Sequence, residues 1–143
     1  MNDLQAALLV PQLKKLENNR RTRAKIANLY DKLLADIAKV KLTPVLDNSV
    51  HAHHLYTIRV FSQIRDDLLF KLSSSGVGVG VNFRVVHLMK YYVERYGFKL
   101  GDFPIAESIG SSTISLPLYP SLCQPEQEYV AEKIKSILAE LEA

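Results

Sequence analysis

The chain contains no tryptophan and one cysteine, Cys123, so an intramolecular disulfide is excluded. That cysteine usage suits a reducing compartment. No run of residues is apolar for long enough to cross a bilayer, and the N-terminus lacks the apolar core and cleavage site of a secretion signal. The expected setting is cytoplasmic, with no membrane partner. Glycine and proline are scarce, at six each in 143 residues, and no repeat or low-complexity tract occurs. With 48% hydrophobic and 23% charged residues, the composition excludes disorder. The formal charge of +3 is too small to require a nucleic-acid partner. A chain of this length accommodates one domain around one core.

What the sequence does contain is strong periodicity. From Met1 to about Asp36 the composition is helical and free of glycine, with apolar residues at Leu9, Leu13 and Leu16. The stripe resumes at Ile26, Leu29, Tyr30, Leu33, Leu34 and Ile37, at helical spacings of three and four. Between them lies a polar run in which Lys14, Lys15, Arg20, Arg21, Arg23 and Lys25 are opposed only by Glu17. It reads as a solvated or partner-facing helix face, the alternative being a phosphate-contacting one. A helix this long in so short a chain cannot bury its whole length within its own domain. Pro11 either kinks it or marks its ordered start.

Further on, His54 to Phe61 alternates as a strand, with Tyr56, Ile58 and Val60 on one face. A helix is expected next, capped by Ser62, carrying Asp66 and Asp67 in its first turn and ending at Gly76. Its buried stripe is Leu68, Leu69 and Leu72. Val77 to Phe83 reads as a second strand whose glycines invite close approach of a backbone or ligand. A short helix over His87–Tyr96 follows. Asp102 and Pro104 then open another, with Ile105, Ala106 and Ile109 inward. Ser115 to Pro120 is extended, and a last helix runs from about Gln124 to Leu141. The expected fold is α+β: a small, mainly antiparallel sheet covered by helices, fronted by a long N-terminal helix.

Candidate chemistry is sparse. His51 and His53 share one face of an extended chain, but no Asp, Glu or Cys stands at a supporting spacing, so no metal site is assigned. The Gly76–Gly80 run leads into strand rather than into a helix, unlike a phosphate loop. Cys123 stands three residues before Glu126 and reads as a weak helix cap. The richest patch is Asn82-Phe83-Arg84-Val85-Val86-His87 with Lys90-Tyr91-Tyr92. Arg84 and His87 suit a phosphate, and the aromatic rings suit a base. The competing reading is a satisfied polar loop with both tyrosines packed on the core.

Several blocks resemble one family in order. Met1-Asn2-Asp3-Leu4-Gln5-Ala6-Ala7 is similar to the opening of the interdomain helix in DegT-type sugar aminotransferases. His54-Leu55-Tyr56, the Gly76–Phe83 run, Phe103-Pro104-Ile105-Ala106-Glu107 and Ser115-Leu116-Pro117-Leu118-Tyr119-Pro120 match later blocks. The Asn82–Tyr92 patch resembles that of members aminating 4-keto UDP-sugars, such as the enzyme making UDP-4-amino-4-deoxy-L-arabinose. The resemblance implies the C-terminal small domain of a fold-type-I aminotransferase spanning 1–143, with residues 1–36 as the interdomain helix. It implies a homodimer, pyridoxal phosphate in the full-length enzyme, a nucleotide sugar as substrate and glutamate as donor, in cell-surface polysaccharide or amino-sugar synthesis. Asn82, Phe83, Arg84 and His87 are carried over as substrate-binding residues, although the family usually has His where Asn82 stands. No lysine here occupies the family's Schiff-base motif, so no catalytic residue is assigned. The large domain is expected to be absent, the chain alone to bind no cofactor and to be inactive, and the bared N-terminal helix to self-associate. The alternative is a non-catalytic module that binds a nucleotide sugar or another subunit.

Overall fold

The computed structural model describes residues 2–141. Helix α1 (Asp3–Leu34) is followed by strands β1 (Lys41–Leu42) and β2 (Tyr56–Arg59) and helix α2 (Ser62–Ser74). A 3₁₀ turn (Val86–Leu88) leads into helices α3 (Lys90–Tyr96) and α4 (Pro104–Ser112), strand β3 (Thr113–Leu116) and helix α5 (Gln124–Glu140). The strands form one antiparallel sheet in the order β1-β2-β3, with Lys41 opposite Arg59 and Ile58 opposite Ile114. This is the α+β architecture expected from the sequence.

The alternation in β2 sends Tyr56, Ile58 and Val60 into the core. Strand β3 is buried at all four residues, so its two faces are both covered. It ends at Leu116 because Pro117 has no amide to continue the ladder. Against the sheet pack Tyr30 and Leu34 of α1, Leu68 and Leu72 of α2, and Ile134 of α5, each fully buried. Burial of each of the leucine and isoleucine side chains among them contributes about 1.5–3 kcal/mol. Helix α5 lies against both α1 and α2. Its start is the predicted capping box: the Glu126 carboxylate accepts the Cys123 amide at 2.8 Å.

Helix α1 is divided in function along its length. Ile26, Ala27, Tyr30 and Leu34 anchor it, whereas Leu4, Leu8, Leu13 and Leu16 are 61–78% exposed. About thirty ångströms of helix therefore project with an apolar stripe uncovered by this domain. Pro11 does not mark its start. The helix begins at Asp3, where Asn2 and Gln5 close a reciprocal capping box, and it continues through Pro11. In the polar run, hydrogen bonds from Arg20 and Arg21 hold the Glu17 carboxyl down to about 2.

Three local expectations are corrected. Ser62 lies inside α2 rather than at its cap; Phe61 takes that position, no side chain caps the helix, and the first turn holds no acid. The Val77–Phe83 segment is no strand: it makes a single bridge, Gly80 to Ser115, through two backbone hydrogen bonds of 2.8 and 3.2 Å. Its glycines offer no side chains to pack, which leaves the pairing to one residue. Gly76 does end α2, with φ +79°. Helix α4 is turned over relative to the expectation. Ile105 is 78% exposed and Ile109 44%, while Gly110 and Ser112 are buried. Gly110 and Ser112 lie on opposite sides of α4, so the helix meets neighbours on two faces while Ile105 stays outside.

Candidate functional site

The apolar face of α4 is where the Asn82–Tyr92 patch comes to rest. After the Gly80 bridge the chain turns at Asn82 and Phe83 and lies along α4. Gly110 makes that contact possible: a Cβ there would stand 2.5 Å from Val85 Cγ2 and 3.3 Å from the Val85 amide nitrogen. A second tie is His87, whose Nε2 lies 2.9 Å from Glu107 Oε1. The same carboxylate accepts the Gly101 amide at 2.9 Å and the Phe103 amide at 3.2 Å. Burial pushes Glu107 up, but the Phe103 and Gly101 amides and His87 outweigh it and hold the carboxyl below its usual range. The imidazole is 8% exposed and packs against Phe103 and Phe98 at centroid distances of 4.7 and 6.2 Å.

The result is an apolar cleft of about 500 Å³ between loop and α4. Phe83, Arg84 and His87 line it with Phe103 and Ile109, while Asn82 stands outside. Phe83 is 68% exposed at the loop tip. Arg84 is exposed, and its guanidinium makes no hydrogen bond or ion pair with any described residue. Its neighbour His87 is turned inward and committed to Glu107. Arg84 and Phe83 can therefore meet an anion and a planar or apolar group in solution, whereas His87 fixes the loop that carries them. Tyr91 and Tyr92 do not pack on the core. They contact each other edge to face at 5.4 Å, and Tyr91 is 64% exposed.

Glu107 is the residue that sequence reasoning missed. It lay in a quoted block, but its partner is 20 residues away and only the fold joins them. The expected cap Asp102 instead accepts the Lys99 amide at 2.9 Å. His51 and His53 do meet, at a ring distance of 4.5 Å, with the His53 amide donating to His51 Nδ1. Among the described residues no group of three His, Cys, Asp or Glu is placed to hold a metal ion.

Pyridoxal phosphate needs a lysine amine, a carboxylate beside the pyridine nitrogen and a phosphate cradle. Among the described residues, the five clefts with assigned linings do not bring these together. Lys39 and Lys41 line one that has no acid, and Asp31, Asp102 and Glu126 line others that have no lysine. The described residues lining these clefts do not fit that cofactor.

Solved structures place this fold among aminotransferases. The aminotransferase TlmJ from Streptoalloteichus hindustanus superimposes with a TM-score of 0.89 at 27% identity, over 99% of this chain and 37% of that one. NtdA from Bacillus subtilis, solved with bound cofactor PMP, gives 0.84 at 29% identity, over 97% of this chain and 33% of that one. The model of the DegT/DnrJ/EryC1/StrS aminotransferase family matches residues 1–135, and the chain belongs to that family. The spore coat polysaccharide biosynthesis protein SpsC of Bacillus subtilis is 35% identical over 96% of this chain. The chain spans 37% of the length of SpsC.

Proposed function

We propose that residues 1–143 form the C-terminal small domain of a sugar aminotransferase, with α1 as the interdomain helix. Pyridoxal phosphate, the Schiff-base lysine and the amino-transfer step belong to residues outside this segment. The substrate is a 4-keto nucleotide sugar, UDP-linked, and glutamate is the amino donor. The similarity to SpsC supports a place in polysaccharide or amino-sugar synthesis. The role of this domain is to present the Phe83–Arg84 tip to the substrate. One observation carries the reading: Arg84 has no partner among the described residues, on a loop that Gly110 and Glu107 hold firmly against α4. A guanidinium kept unpaired in that way is ready for a phosphate. Beside it, the Phe83 ring offers a face for a base or sugar.

The test joins the chain to a large domain of the family and follows amination of a UDP-4-keto-sugar by glutamate. Activity should depend on the large domain, with the chain alone neither binding pyridoxal phosphate nor turning over. Arg84→Ala should raise the KM for the sugar about tenfold or more, the loss expected for a charged hydrogen bond. An unchanged KM, or turnover by the unaided chain, overturns the proposal.

A further inference from the structure

Helix α4 has a second cleft on its opposite face. Ser108, Ser111 and Ser112 line it, whereas Ala106, Ile109 and Gly110 line the loop cleft. At 100° per residue those two sets fall on opposite sides of the helix. The second cleft holds about 410 Å³, and its charged lining residues are Lys39, Lys41 and Arg59, with no acid. Lys41 and Arg59 are direct cross-strand partners. Like charges so placed repel each other and weaken the pairing. No described carboxylate bonds to either of them.

The guanidinium of Arg59 is oriented from behind. Its Nε donates to Ser112 Oγ at 3.0 Å and its Nη2 to Ser108 Oγ at 3.3 Å. Ser112 spends its own proton on the Ser108 carbonyl at 2.6 Å, which keeps its oxygen turned to the arginine as an acceptor. The Nη1 edge has no partner among the described residues. Ser62 and Gln63, the first residues of α2, complete the wall, and that helix start has no side-chain cap and no acid.

We infer that this cleft is a second anion site, which takes a phosphate or diphosphate group against Lys41 and Arg59. An anion there removes the like-charge cost between the strands and occupies the arginine edge that the serines leave open. The same chemistry is offered by free pyrophosphate and by the diphosphate of a nucleotide. The site is built from residues other than those of the loop cleft, so it stands whether or not Arg84 serves the sugar substrate.

The test titrates the full chain with inorganic pyrophosphate and, separately, with UDP, by calorimetry and by backbone amide shifts. Saturable binding should move the amides of Lys41, Arg59, Ser62 and Gln63. Lys41→Gln, a change at an exposed position, should weaken it about tenfold. Arg59→Gln should weaken it further, and Lys135→Gln on the outer face of α5 should leave it unchanged. Equal affinity for the two probes assigns the free phosphate species, and tighter UDP binding assigns a nucleotide. Binding that does not saturate, or that Lys41→Gln and Lys135→Gln weaken alike, overturns the inference.

Discussion

Gly110→Ala puts the seating of the loop to a direct test. In a helix interior alanine is better than glycine by about 0.5–1 kcal/mol, so on propensity alone the change stabilises. Against that stands the position of the new methyl, 2.5 Å from Val85 Cγ2, 3.3 Å from its amide nitrogen and 3.6 Å from the Phe83 carbonyl oxygen. Valine is stiff at χ1, so its methyl cannot swing aside cheaply, and the nitrogen moves only if the loop does. Overpacking of this kind costs about 1–3 kcal/mol. The clash wins, and the net expectation is a loss of about 1 kcal/mol, or about 3 °C in a domain of this size. Urea unfolding measures the free energy. Amide exchange along Phe83–Met89 should accelerate in the same variant. In a Val85→Ala background the Cγ2 contact is gone, and Gly110→Ala should become neutral or stabilising there. The double-mutant cycle should therefore show a coupling of about 1 kcal/mol or more. If Gly110→Ala is as stable as the parent and the cycle shows no coupling, the loop is not held by this contact.

Two further outcomes follow from the same structure. Glu107 titrates below an ordinary carboxyl when folded, so its stabilisation is complete above the unfolded value and is lost as pH falls through the folded one. Protection of the Gly101 and Phe103 amides should thus collapse on the acid side, and Glu107→Gln should remove that pH dependence; an unchanged acid limb in the variant refutes the assignment. The stripe at Leu9, Leu13 and Leu16 should drive self-association of the chain through α1, since all three are 47–67% exposed. Sedimentation velocity should show concentration-dependent association that the triple Leu→Ser variant abolishes, and a parent that stays monomeric at high concentration counts against it.

Periodic signals were legible in the sequence because they report burial directly. The spacing of Ile26, Tyr30 and Leu34 marked the anchored half of α1, and the lapse after Leu16 marked where it leaves the domain. Alternation in β2 and the stripe of α5 were likewise visible. What failed were the segments where an apolar pattern is not resolved within this domain. Val77 to Phe83 alternates like a strand, but the alternation arises from glycines, and β3 accepts it at Gly80 alone. Ile105, Ala106 and Ile109 are spaced for burial, yet they flank the loop cleft and solvent. A period tells that a face is apolar, not which neighbour covers it.

The site was legible as a set of residue types and illegible as a division of labour. Arg84 and His87 read alike as phosphate partners, because sequence shows a cation and a titratable ring three positions apart and nothing of what faces them. The fold separates the two: Glu107 reaches His87 from α4 and claims the imidazole, and no described residue claims Arg84. The same blindness hid the second cleft. Lys41 and Arg59 stand 18 positions apart in the chain, and only the register of β1 on β2 sets them opposite each other. Helix α4 then separates the two clefts. Its apolar face receives the loop at Gly110, and its serine face steadies an arginine at Ser112, which is why those two residues are buried while Ile105 and Ile109 are not. A helix used as a partition has no single inward face, and a reading that assumes one assigns α4 backwards.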